Sequence, residues 1–117
     1  MPRVIRMLDA VTTDPVHVLA VTADPTYGEE LDTQMRQRSG FRVTAVDSAN
    51  EAMATLLAAE DIECIVSDHD VPDVDAIAFL QAVRALYPDL PFILFTSEGS
   101  EDIASRAIHA RVTDYLI

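Results

Sequence analysis

Lysine is missing from this chain: all eight basic residues are arginine, set against twenty acidic ones, for a net charge of −12. An excess of one sign on this scale argues against a surface built to hold nucleic acid or an anionic membrane, because phosphates repel it. Cysteine is almost missing. Cys64 stands alone, so no internal disulfide is available, and its place in an apolar run reads as a buried, inert thiol. Glycine occurs only at positions 28, 40 and 99, too sparsely for a glycine-rich loop that cradles a nucleotide. No apolar run approaches the ~18 residues of a membrane span. The start of the chain holds Arg3 and Arg6 but no apolar stretch of signal-peptide length. A cytoplasmic protein is therefore expected. The acidic, lysine-free composition also suits solubility in high salt, so a halophilic source is expected with it.

What is present fills one domain. The 117 residues suffice for a single core and not for two. After a leader covering residues 1–15, whose role is unassigned, residues 16–117 alternate between two textures. Short apolar, β-branched runs fall at Val16–Val21, Phe41–Val46, Ile62–Ser67, Pro91–Thr96 and Val112–Ile117. Unbroken apolarity, rather than strict alternation, suits parallel strands covered on both faces.

Helical patterns separate these runs. The first spans about Thr26 to Arg38, with Leu31 and Met35 on one face, and stops at Gly40. The second opens on Ser48-Ala49-Asn50-Glu51, a capping-box pattern, and carries Ala52, Met53, Leu56 and Leu57 at helical spacing. The third runs from about Asp75 to Leu86 with Ile77, Leu80 and Val83 inward, and Pro88 ends it. The fourth starts near Ser100, places Glu101 and Asp102 where carboxylates complement the helix dipole, and continues through Ile103, Ala107 and Ile108. Four β-α units closed by a fifth strand predict an α/β fold: a five-stranded parallel sheet with helices on both faces.

Ligands of such sheets bind at the carboxyl ends of the strands. Those ends carry Thr22, Ala23 and Asp24 after the first run, Asp68 after the third, and Thr96 with Ser97 at the fourth. An aspartate there can attack phosphorus and form an acyl phosphate. A hydroxyl such as that of Thr96 can hydrogen-bond a phosphoryl oxygen, and a divalent cation can neutralise the gathering charge.

At this point the chain resembles the receiver (response-regulator) domains of two-component systems, a flavodoxin-like family. The stretch Ile65-Val66-Ser67-Asp68-His69-Asp70-Val71-Pro72-Asp73-Val74-Asp75 is similar to the family's phosphoacceptor region. Leu94-Phe95-Thr96-Ser97 resembles its fourth strand with the switch threonine, and Thr113-Asp114-Tyr115-Leu116 its fifth strand with the switch aromatic. Val18-Leu19-Ala20-Val21, followed by Asp24-Pro25, resembles its first strand and exit. The likeness covers roughly Val16 to Ile117. It implies a signalling domain rather than an enzyme. Asp68 would accept a phosphoryl group from a histidine kinase or phosphotransfer protein in a phosphorelay, with Thr96 and Tyr115 switching a protein-interaction surface.

Three departures qualify the resemblance. Where the family carries an acidic pair that holds Mg²⁺, this chain has Thr22 and Ala23. Weak Mg²⁺ binding is therefore expected, on Asp68 with some help from Asp24. The family's lysine after the fifth strand is missing, and so is the fifth helix. An apolar flank is thereby left for the leader, a longer chain or a second copy to cover, which makes a homodimer an expectation. The alternative function is a pseudo-receiver, an interaction domain independent of phosphorylation. Plainer readings attach to other residues. The Asp68, Asp70, Asp73 and Asp75 cluster lacks the glycine and glutamate of a calcium loop, whose sixth and twelfth places fall on Asp73 and Phe79, and reads as a solvated acidic loop. His69 reads as a solvent-facing loop residue, and His17 and His109 carry no signal.

Overall fold

The computed structural model describes residues 15–37, 40–71, 73–96 and 101–116. For positions 25, 27, 31, 32, 35, 36 and 115 it describes the backbone alone. Residues 1–14 of the leader, Arg38, Pro72, Ser97, Gly99, Ser100, Ile117 and the side chains of Leu31, Met35 and Tyr115, all named above, lie outside the described residues.

Among the described residues, five strands alternate with four helices: β1 Val16–Val21, α1 Pro25–Gln37, β2 Phe41–Val46, α2 Ala49–Ala58, β3 Ile62–Asp68, α3 Ala76–Leu86, β4 Phe92–Phe95, α4 Glu101–His109 and β5 Asp114–Leu116. The strands form one sheet in the order β2-β1-β3-β4-β5, and every pairing is parallel. This is the flavodoxin-like arrangement. The last two strands are shorter than their apolar runs. β3 is longer and takes in Asp68 as its last residue.

Period-two alternation sorts the strand residues onto two faces. One face offers Leu19, Val21, Ile65, Phe92 and Leu94, each fully buried, against Ala52 and Leu56 of α2, Ile77, Leu80 and Val83 of α3, and Ala107 of α4. Phe79 meets Phe92 edge-to-face with ring centroids 5.6 Å apart. The opposite face carries a smaller cluster, Val18, Ala20 and Val43, with Val16, Cys64 and Val66 half-buried beside it. Here α1 packs on β2, and Gly28 brings its backbone close enough that a Cβ would sit 3.5 Å from Ala45 Cβ. Two apolar residues of the helical patterns face water: Leu57 is 63% exposed and Ile108 68%. Each lies one position past the buried stripe of its helix, where a 100° step carries the side chain to water. Cys64 is half-buried rather than sealed in the core.

Helix ends follow the local chemistry. Ser48 Oγ accepts from the Glu51 N–H, as the capping pattern predicts. Tyr87 closes α3 ahead of Pro88. α4 ends in a Schellman motif: the Val112 N–H bonds Ala107 O and the Arg111 N–H bonds Ile108 O. Arg111 takes the left-handed position, φ 64°, that glycine usually fills.

Candidate functional site

The strand order reverses between β1 and β3, since α1 leads outward to β2 on one side while α2 returns the chain to β3 on the other. A crevice opens at the carboxyl ends of the two strands flanking such a reversal. Val21 pairs with Ser67, so Thr22 and Asp68 are the next residues on each side of that crevice. Asp68 in turn pairs with Phe95, and Thr96 is one residue further along. An interstrand step of about 4.8 Å and a rise of about 3.3 Å put the Thr96 backbone about 6 Å from that of Asp68. Thr22, Asp68 and Thr96 thus form a row across the rim on three adjacent strands.

Burial differs along the row. Thr22 and Thr96 are each 4% exposed, while Asp68 is half-buried. The Thr96 N–H donates to Leu116 O at 3.0 Å, which ties the end of β4 to β5. The backbone of Tyr115 lies opposite Leu94 in the same ladder, two residues before Thr96. The Asp70 N–H donates to Asp68 Oδ1 at 3.0 Å, and the His69 N–H donates to Phe95 O at 2.8 Å. His69 is therefore half-buried against the rim rather than solvent-facing, with its ring 3.5 Å from the Asp70 carboxylate.

Asp24 is engaged elsewhere. Its Oδ1 accepts from the Thr26 N–H at 2.9 Å in the first turn of α1, and its own N–H donates to Thr22 Oγ1 at 3.2 Å. A cavity of about 340 Å³ opens beside it, on the α1–β2 side of the crevice, and Asp24, Glu29, Asp47 and Glu51 line it. Asp68 does not. Four carboxylates make this cavity hostile to an anion.

A Mg²⁺ ion keeps several waters and needs one or two carboxylates. Among the described residues, no three His, Cys, Asp or Glu side chains converge as a metal cluster. The donor set is Asp68, with one oxygen taken by the Asp70 N–H, and Asp24, with one oxygen capping α1. Ala23 is exposed and offers no side-chain oxygen. These residues fit a hydrated ion resting on one carboxylate rather than a closed cage.

Two groups that sequence reasoning overlooked organise the surroundings. The buried Arg84 guanidinium donates to Arg111 O at 2.8 Å, Leu90 O at 2.6 Å and Tyr87 O at 3.2 Å, and reaches Thr113 Oγ1 at 3.3 Å. Burial pushes its pKa down, but an arginine remains cationic at neutral pH. The acidic loop is equally committed. Asp73 accepts from the Ala49 and Asn50 N–H groups at the start of α2, and those bonds hold its carboxyl below the usual range. Asp75 is the N-cap of α3 and pairs with Arg106 of α4 at 2.9 Å. The signal was available in the second case: aspartate just ahead of an apolar periodic run is an N-cap pattern.

A model of the response regulator receiver domain matches residues 18–117. The chain belongs to this family. The receiver domain is 38% identical over 78 residues to the response regulator protein FleR of Pseudomonas aeruginosa, a match covering 67% of this chain and 16% of FleR. It is 29% identical over 103 residues to the two-component response regulator ORR3 of Oryza sativa, covering 86% of this chain and 78% of ORR3. Among solved structures it is similar to the chemotaxis protein CheY4 of Vibrio cholerae, with TM-score 0.80, 25% identity, and coverage of 88% of this chain and 86% of that one. The receiver domain is a signalling module, and no helix among its described residues is long and apolar enough to cross a membrane.

Proposed function

We propose that this receiver domain accepts a phosphoryl group on Asp68 from the phosphohistidine of a histidine kinase or phosphotransfer protein. One observation carries the reading: the Asp68 carboxylate ends β3 at the reversal of strand order, flanked on the adjacent strands by two buried threonines. A carboxylate oxygen of Asp68 attacks phosphorus as the P–N bond breaks. The electron pair stays on the departing imidazole nitrogen, which takes up a proton. Thr96 hydrogen-bonds a phosphoryl oxygen, and its backbone tie to β5 carries the shift toward Tyr115. The equilibrium then moves between two arrangements of the α4–β5 surface, where the downstream protein binds.

Asp68 and the nearby backbone carbonyls would hold Mg²⁺, with Asp24 at its margin. When bound, the ion neutralises charge in a crevice whose rim is already acidic. The same proposal includes a cytoplasmic location, where the partner kinase presents its phosphohistidine, and an environment rich in salt, which the charge of −12 favours.

The test is incubation with acetyl phosphate and Mg²⁺ followed by intact mass measurement. A single phosphate adduct is expected on the wild type and none on Asp68→Asn. A wild-type chain that stays unlabelled under conditions that label another receiver would sink the proposal and leave a phosphorylation-independent interaction module.

A further inference from the structure

The loop after Asp68 is wired to its neighbours through carboxylates. Asp68 Oδ1 holds the Asp70 N–H. Three residues on, both oxygens of Asp73 cap α2. Asp75 then divides its carboxylate: Oδ1 accepts from the Ile77 N–H at 2.7 Å, and Oδ2 accepts from Arg106 Nη2 at 2.9 Å. The second bond crosses a groove of about 380 Å³ between α3 and α4, with Gln81, Ser105 and His109 on its walls.

We infer that the Asp75–Arg106 ion pair is the contact through which the state of Asp68 sets the position of α4. The inference rests on Asp68 as the responsive site and deepens that reading to its regulation. Esterifying or neutralising the Asp68 carboxylate weakens the acceptor that holds the Asp70 N–H. The loop between the Asp68 strand end and the Asp75 cap then shifts, and carries the cap with it. Because the cap is also the anchor of Arg106, displacement of one is felt by the other. Exposure supports a reversible contact: the side chains of Asp75 and Arg106 are 44% and 46% exposed. A pair this open is weak enough to break and re-form. Arg106 also keeps the Asp75 carboxyl below its usual range, so the pair stays ionised at neutral pH.

Hydrogen exchange of residues 101–109 in the full chain tests this. Asp68→Asn removes the carboxylate charge without any phosphotransfer, and is introduced into wild type, Asp75→Asn and Arg106→Gln backgrounds. Asparagine caps a helix as well as aspartate does, so Asp75→Asn removes the pair while protection of α3 is retained. In the wild-type background, Asp68→Asn should alter α4 exchange by about two- to fivefold, the scale a half-exposed pair supports. In the other two backgrounds the change should vanish. An α4 response of equal size in all three, or none in wild type, overturns the inference. A parallel arm repeats the comparison with acetyl phosphate and Mg²⁺. If no adduct forms while the Asp68→Asn arm behaves as expected, the coupling stands and the phosphoacceptor reading falls.

Discussion

Arg84 shows how much one side chain decides here. It sits on α3 amid apolar neighbours, yet its guanidinium gathers three carbonyls and a hydroxyl from the turns that lead into β4 and β5. One of those carbonyls belongs to Arg111, the residue with left-handed backbone. Arg84→Met would fill the volume and leave part-buried acceptors unmet, which costs about 1–3 kcal/mol. Urea denaturation should read that loss with an unchanged m-value. At the crevice, Ala23 is exposed beside an incomplete donor set. Ala23→Asp adds a further carboxylate at the crevice without burying a charge. Mg²⁺ affinity should rise about tenfold, or 1.4 kcal/mol, read by chemical-shift titration around Asp68. An unchanged affinity would mean that position 23 does not face the ion.

Among the elements, α2 is held at its start by two separate residues. Ser48 supplies the local cap, and Asp73 reaches across from the loop after β3 to satisfy two more N–H groups. Asp75 performs the same service for α3 while gripping α4. On the opposite edge, Asp61 holds Arg42 and lies 3.1 Å from the ring of the buried His17, whose Nε2 meets Thr44 Oγ1 at 2.6 Å. Asp73, Asp75 and Asp61 all have pKa values lowered from 3.8: by backbone N–H groups, by Arg106 and by the His17 hydrogen bond, respectively. The folded state then binds fewer protons than the unfolded chain around that value. Stability is fully present above 3.8, and is lost as pH falls through the lowered folded values. Thermal melts should fall steeply on that acid limb. In Asp73→Asn the limb should be shallower, because one of the three contributors no longer titrates.

For the whole molecule, charge sets the conditions of folding. Twenty carboxylates and eight arginines on 117 residues repel one another in dilute buffer, and the Debye length shrinks from about 10 Å at 0.1 M salt to about 3 Å at 1 M. The melting temperature should therefore climb between low and molar salt, measured with sodium and potassium chloride in turn. A flat response would show that the arginine contacts already balance the repulsion. The second sheet face bears on association. Val16, Cys64 and Val66 remain half-buried beside a small cluster, and Leu116 on β5 is 49% exposed.

Sequence by itself determined the order of elements and the place of the crevice. Apolar runs alternating with helical stripes leave a doubly covered parallel sheet as the arrangement that buries both, and the strand ends then name Asp68 and Thr96. Local caps such as Ser48 were legible for the same reason, since donor and acceptor lie within one turn. Only the tertiary structure decided what depends on residues far apart in the chain. It turned the acidic loop from a solvated stretch into a set of clamps on three helices, committed Asp24 Oδ1 to α1, and buried Arg84 among carbonyls contributed by distant turns. A carboxylate or guanidinium looks alike in sequence whether it faces water or a backbone group. Its partner is chosen only when the chain folds and brings the unpaired N–H and C=O groups within reach.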